Sequence, residues 1–122
     1  MEKELKILMV EDSEEDAGML DYVLRKDKIA FTRIRVDTRK EFIEALGAFK
    51  PDLILSDHAL PQFNSIEALK IVHEIKSNAP FIIVTGTVSE EFAVNCLKKG
   101  ANDYILKTNL SRLPSAIRHA IG

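Results

Sequence analysis

Acidic side chains stand directly after two of the most apolar short segments of the chain. Glu11 and Asp12 follow "KILMV" (6–10), and Asp57 follows "DLILS" (52–56). A buried, unpaired carboxylate is costly, so such groups are normally paired, bound to a metal or at the surface. Carboxylates that lie close together repel one another unless a cation sits among them. Because no His or Cys ligand spacing accompanies them, a hard cation such as Mg²⁺ or Mn²⁺ is the predicted partner.

Two further apolar segments end in groups suited to phosphoryl chemistry. "FIIVT" (81–85) ends in Thr85, and "DYILK" (103–107) ends in Lys107. A divalent cation and an ammonium can neutralise phosphoryl oxygens while a carboxylate attacks phosphorus. This chemistry requires a fold that brings the ends of all four segments to one place.

The pattern of apolar residues predicts such a fold. The four segments and "FTRIRV" (31–36) alternate with amphipathic stretches, as expected for five βα units and an α/β architecture. We predict a flavodoxin-like (βα)5 doubly wound parallel sheet of strand order 2-1-3-4-5, with the alternating second strand at an edge. Residues spaced to share one face of a helix form five stripes, which are Ala17, Leu20 and Leu24; Phe42, Leu46 and Phe49; Ile66, Leu69, Val72 and His73 or Ile75; Phe92, Ala93, Cys96 and Leu97; and Leu110, Leu113, Ile117 and Ile121.

Length and composition limit the classes of protein to which this chain can belong. At 122 residues the sequence predicts one domain, residues 1–122. The formal net charge of −2 does not favour nucleic acid, so no direct nucleic-acid binding is expected. Cys96 is the only cysteine, which excludes an intramolecular disulfide. No apolar run approaches the length of a membrane span, and we expect a cytoplasmic protein that does not bind membranes.

Four motifs, in this order and spacing, resemble one family. They are "VED" (10–12), "DLILSDHALP" (52–61), "FIIVTG" (81–86) and "GANDYILK" (100–107). From about Lys6 to Ile121 the chain is similar to the receiver domains of two-component response regulators, including the chemotaxis regulators.

The resemblance implies a role for each residue of the site. Asp57 is the implied phosphoacceptor, and Mg²⁺ or Mn²⁺ is the implied cofactor. The other implied roles are metal binding by Asp12, Asp57, the main-chain carbonyl of Ala59 and, through water, Glu11; phosphoryl contacts by Thr85 and Lys107; and switching by Thr85 and Tyr104. The implied partners are a sensor histidine kinase or phosphotransfer domain and a downstream protein target or fused output domain. The domain is expected to assist its own phosphorylation and dephosphorylation rather than to act as an enzyme on other substrates.

Three positions depart from the pattern usual in this family. Thr108 follows Lys107 where proline is usual, often after a cis peptide bond. A cis bond before a non-proline residue costs ~2.5–4 kcal/mol, so a trans bond is expected. Asn64 and Ser65 stand where an Asp-Gly turn is usual, and Gly86 stands where alanine is usual. None of these changes removes a chemical group from the predicted site.

Other functions remain open at this point. The domain could be a phosphoryl sink or relay within a phosphorelay or a larger sensor kinase. An aspartyl-phosphate phosphatase resembling the haloacid dehalogenases would have a second Asp two residues after Asp12, where this chain has Glu14. A flavin-binding module would have a loop rich in Gly, Ser and Thr after its first strand, where this chain has "EDSEEDA" (11–17).

Two sets of polar residues are not assigned a role in the predicted phosphoryl chemistry. Glu14, Glu15 and Asp16 follow the predicted helix N-cap Ser13, where acidic residues stabilise a helix start. The histidines are not spaced as metal ligands usually are; they are His58, His73 and His119.

Overall fold

Five parallel strands form one sheet in the order β2-β1-β3-β4-β5 in the computed structural model of the chain. The structure describes residues 4–58, 60, 63–86 and 89–122. The predicted strand order and the edge position of the second strand are confirmed. The elements are β1 Leu5–Val10, α1 Glu14–Lys26, β2 Phe31–Val36, α2 Arg39–Ala48, β3 Leu53–Ser56, α3 Ser65–Glu74, β4 Phe81–Thr85, α4 Glu90–Lys98, β5 Asp103–Leu106 and α5 Leu113–Ile121, with a 3₁₀ segment Lys107–Arg112 before α5.

The sheet is covered on both faces because its central strands are apolar on both sides. In β1, Ile7 and Met9 pack with residues of α1 and α5, while Leu8 and Val10 pack with residues of α2, α3 and α4. All residues of β3 and β4 are buried, whereas β2 alternates partly buried and exposed positions over most of its length. Near-continuous apolar runs are typical of parallel strands that helices cover on both sides.

The helical stripes pack inward, with exceptions near the helix ends. Leu20, Leu24 and Cys96 are buried as predicted. In contrast, Ile75, Leu97 and Ile121 are 51%, 46% and 43% exposed, and His73 is also exposed. The fifth helix also begins later than the stripe from Leu110 suggested, because the 3₁₀ segment precedes it.

Helix caps determine where several elements start and stop. Ser13 caps α1 through a hydrogen bond from the Asp16 amide to its hydroxyl, at 3.1 Å. Asn64 caps α3 in the same way for the Glu67 amide, at 2.9 Å, so this segment starts a helix with extended backbone at Asn64. Gly100 follows α4 with a φ of 110°, as predicted for the residue after a helix.

No peptide bond among the described residues is cis, and the bond between Lys107 and Thr108 is therefore trans, as expected. None of the described helices is long and apolar enough to cross a membrane.

Candidate functional site

The carboxyl ends of β1 and β3 lie side by side at one edge of the sheet. Val10 is paired with Ser56, so the residues that follow each strand leave the sheet together. As a result, carboxylate oxygens of Glu11, Asp12 and Asp57 lie within 4.8 Å of one another. Glu11 is buried, Asp57 is partly buried and Asp12 is exposed. The structure thus brings together the three carboxylates that the sequence singled out, with one of them open to solvent.

Lys107 contacts two of these carboxylates, those of Glu11 and Asp57, and also that of Asp16. It follows β5, and its ammonium donates hydrogen bonds to Glu11 Oε1 at 2.6 Å, Asp16 Oδ2 at 2.7 Å and Asp57 Oδ2 at 2.9 Å. Burial lowers the pKa of Lys107, but the hydrogen bonds to the three carboxylates outweigh burial and raise this pKa above its usual value. Lys107 is therefore a protonated lysine at neutral pH, and each of its three N–H groups has a carboxylate acceptor.

Asp57 is held from several sides. Its Oδ1 accepts a hydrogen bond from the His58 amide at 2.7 Å, and its Oδ2 accepts one from Lys107. Thr85 is buried at the end of β4, and its hydroxyl lowers the pKa of this carboxylate. Burial raises the pKa of Asp57, but the hydrogen bond from Lys107, the Thr85 hydroxyl and the lysine charge together outweigh burial and lower it. Asp57 is thus an ionised, oriented carboxylate, which is the state that a nucleophile needs.

Glu11 has a different environment from Asp57. Burial raises its pKa, and the hydrogen bonds from Lys107 and from the Ser13 amide reduce that effect without cancelling it. The negative charge of Asp57 raises the pKa of Glu11 further. A divalent cation near these carboxylates would favour their ionised forms, so both the oxygen donors and the crowding of negative charge fit a hard metal ion.

Arginines on the edge strand β2 bind the loop after β1 and the start of α1. Arg35 donates to the main-chain carbonyl of Glu11 at 3.1 Å and to Glu14 Oε2 at 2.6 Å. Arg33 pairs with Glu14 at 3.1 Å and with the nearly buried carboxylate of Asp21 at 2.8 Å. The polar positions of β2 therefore connect this strand to α1 and to the segment that carries the acidic residues.

His58 contacts an aromatic residue of α4. Its ring centroid lies 3.8 Å from that of Phe92, and its Nδ1 lies 2.8 Å from the hydroxyl of Ser65. Phe92 in turn meets Tyr104 edge-on, with ring centroids 6.0 Å apart. Burial lowers the pKa of His58 more than the charge of Asp57 raises it. A continuous path of ring contacts therefore leads from the residue after Asp57 to Tyr104.

Two residues of this neighbourhood were not predicted from the sequence. His58 was interpreted without a role, and nothing in the local pattern indicates its contact with α4. Asp16 was interpreted only as an acid at a helix start, although it lies one turn before Leu20 and two turns before Leu24, on the buried side of α1. The main-chain carbonyl of Ala59, a predicted metal ligand, lies outside the described residues.

Comparison with known proteins agrees with this geometry. The sequence profile of the response regulator receiver domain matches residues 7–118. The chain belongs to the response regulator receiver domain family. The resemblance seen in its motifs is therefore confirmed, and this chain is a receiver domain of the kind that acts as a phosphorylation-dependent signalling switch in two-component systems.

Individual relatives show how far the similarity extends. The receiver domain is 33% identical over 87 residues to the regulatory protein LuxO of Vibrio cholerae, covering 70% of this chain but only 19% of LuxO. It is 28% identical to the chemotaxis protein CheY of Thermotoga maritima, covering 84% of each chain. The crystal structure of the receiver domain of a LuxO repressor protein from Vibrio parahaemolyticus superposes with a TM-score of 0.85 at 27% identity, covering 98% of this chain and 91% of the other.

Proposed function

We propose that Asp57 accepts a phosphoryl group in a Mg²⁺-dependent reaction and that the phosphorylated domain changes its binding to a partner. The observation that carries this proposal is the convergence of an oriented carboxylate, a buried hydroxyl and an ammonium at one edge of the sheet, through Asp57, Thr85 and Lys107. The family gives the reaction class, and this convergence supports Asp57 as the acceptor.

The proposed donor is a phosphohistidine of a sensor histidine kinase or of a phosphotransfer domain. A carboxylate oxygen of Asp57 attacks phosphorus, an O–P bond forms, and the bond from phosphorus to the histidine nitrogen breaks. The nitrogen leaves with the electron pair, so the donor imidazole is regenerated. Lys107 offsets the negative charge of the phosphoryl oxygens as they approach the acidic cluster.

Asp12 and Asp57 are the proposed direct side-chain ligands of Mg²⁺ or Mn²⁺, together with the main-chain carbonyl of Ala59. Glu11 already accepts hydrogen bonds from Lys107 and from the Ser13 amide, which supports its proposed contact through water. When bound, the cation neutralises phosphoryl oxygens.

Thr85 and Tyr104 are the proposed switch residues. In the phosphorylated state a phosphoryl oxygen accepts a hydrogen bond from Thr85, and the ring of Tyr104 on the neighbouring strand moves toward the space that Thr85 vacates. The surface formed by α4, β5 and α5 then changes for a downstream target or a fused output domain. The change is a population shift between two states, limited by how differently the phosphoryl group contacts them. The absence of direct nucleic-acid binding and of activity on other substrates remains a prediction.

Intact-mass spectrometry after incubation with acetyl phosphate and Mg²⁺ tests the acceptor. We expect a labile gain of one phosphoryl group in the wild type and in Asp37→Asn, which changes the carboxylate that follows the edge strand. We expect no gain in Asp57→Asn or when EDTA removes the metal. The same gain in Asp57→Asn, mapped to a carboxylate, would show that another residue is the acceptor.

Beryllium fluoride, a mimic of the phosphoryl group, tests the switch. NMR spectra with and without the mimic should show shifts at Tyr104, Gly86 and the start of α4. If the mimic binds at Asp57 and these signals do not move, the domain acts as a phosphoryl sink or relay instead.

A further inference from the structure

Asp16 has an unexpected position for an acid at a helix start. It occupies the third residue of α1 after the N-cap Ser13, where its carboxylate would be expected to accept a hydrogen bond from the Ser13 amide. Here Glu11 Oε2 accepts that hydrogen bond instead, at 3.2 Å. The Asp16 carboxylate points to Lys107, 2.7 Å from Nζ, and is 34% exposed.

We propose that Asp16 is a positioning residue that anchors Lys107 for contact with the phosphoryl group. Lys107 has three N–H donors, and Glu11 and Asp16 occupy two of them. The third points to Asp57 Oδ2, at 2.9 Å. When Asp57 carries a phosphoryl group, this third donor is the one that can reach a phosphoryl oxygen without breaking the other two contacts.

Two anchors are needed because a lysine side chain is long and flexible. Its ammonium is a point charge on a four-carbon stem, and one acceptor alone leaves the direction of the remaining donors undefined. Glu11 comes from the end of β1 and Asp16 from the first turn of α1, so the two acceptors approach Lys107 from different elements. Asp16 is not a member of the carboxylate cluster that can hold a cation, so its role is separable from metal binding.

The inference rests on the proposed function, and its test separates the two. We expect Asp16→Ala to lower the maximal rate of phosphorylation by acetyl phosphate by about tenfold at saturating Mg²⁺, since small losses of alignment have effects of this size or larger. The apparent Kd for Mg²⁺ should change less than about twofold. Asp16→Asn, which keeps an acceptor and the size of the side chain, should fall between the wild type and Asp16→Ala.

Glu15→Ala is the matched control, because it removes the same charge from the adjacent, exposed position of α1. Its rate should stay within about twofold of the wild type, as expected for a screened surface charge. In a Lys107→Ala background, Asp16→Ala should have no further effect on the rate, because the residue it positions is gone.

Equal rates for Asp16→Ala and Glu15→Ala would overturn the inference, as would additive effects of the Asp16 and Lys107 substitutions. Both outcomes leave the proposed function intact provided that the wild type is phosphorylated on Asp57. If Asp16→Ala fails to fold, the phosphorylation rates of Asp16→Asn and Glu15→Gln are compared instead. Equal rates for these two variants would overturn the inference.

Discussion

The rings of His58 and Phe92 are in contact, with their centroids 3.8 Å apart and their planes tilted by 43°. His58 follows the proposed phosphoacceptor directly, and its amide donates to Asp57 Oδ1. Phe92 lies in the first turn of α4 and also contacts Tyr104. This contact therefore links the loop after β3 to the surface on which the proposed switch acts.

Phe92→Leu should weaken that link while keeping an apolar side chain. We expect the free energy of unfolding to fall by about 0.5–1.5 kcal/mol, the usual contribution of an aromatic pair beyond its buried area. We also expect smaller chemical-shift changes at Tyr104 when beryllium fluoride binds, measured by NMR. Val94→Ala, on an exposed position of the same helix, is the control. An unchanged Tyr104 response in Phe92→Leu would mean that the ring contacts are only structural.

Asp12→Ala should weaken metal binding and phosphorylation together. Asp12 is the exposed member of the cluster with Glu11 and Asp57, so it is accessible to an incoming hydrated ion. We expect the Kd for Mn²⁺, measured from the free-ion signal in electron paramagnetic resonance, to rise by about tenfold or more, the scale of effects seen at metal sites. Glu15→Ala should leave it nearly unchanged. If Asp12→Ala binds Mn²⁺ as the wild type does, the ligand assignment is wrong.

The pKa of Asp57 should rise in Lys107→Met. In the wild type, burial raises this pKa, and the hydrogen bond and charge of Lys107, together with the Thr85 hydroxyl, lower it more. Because the folded-state value lies below the unfolded one, Asp57 contributes stability above the unfolded pKa of about 3.9, and this stability is lost as the pH falls through the folded value. Without Lys107, less compensates the effect of burial on Asp57, so the pKa of Asp57 should rise.

A ¹³C NMR titration of the Asp57 carboxyl, without metal, measures this change directly. Lys40→Met, which alters an exposed lysine of α2, should leave the pKa of Asp57 unchanged. A lower or unmoved pKa in Lys107→Met would show that the ammonium does not stabilise the ionised form of Asp57.

Lys76→Gly should stabilise the domain. Lys76 follows α3 with a φ of 56°, and left-handed backbone costs a residue with a Cβ about 1–2 kcal/mol. Glycine removes that cost, but the greater freedom of the unfolded chain costs about 0.5–1 kcal/mol of stability, so a net increase of up to about 1.5 kcal/mol is expected. Urea unfolding measures it. Lys76→Ala keeps the Cβ and should give no such increase, and equal stability of both variants would contradict the explanation.

Local patterns in the sequence were sufficient to predict the strands, the edge position of β2 and the chemical groups at the strand ends. Apolar periodicity reports which faces of an element are buried, and β2 differs from the other strands because Arg33 and Arg35 interrupt its apolar run. The strand order followed because right-handed crossovers and an edge strand leave few arrangements of five βα units.

Contacts between distant residues were decided only by the tertiary structure. The hydrogen bond from Lys107 to Asp16 spans 91 residues, and it depends on α1 and β5 presenting their ends to the same point. The ring contact between His58 and Phe92 likewise depends on how α4 packs beside the loop after β3. The sequence determined which chemical groups reach the edge of the sheet, because side-chain type and strand position are local properties. Which acceptor each N–H group of Lys107 meets was decided by packing, because several carboxylates compete for the same ammonium.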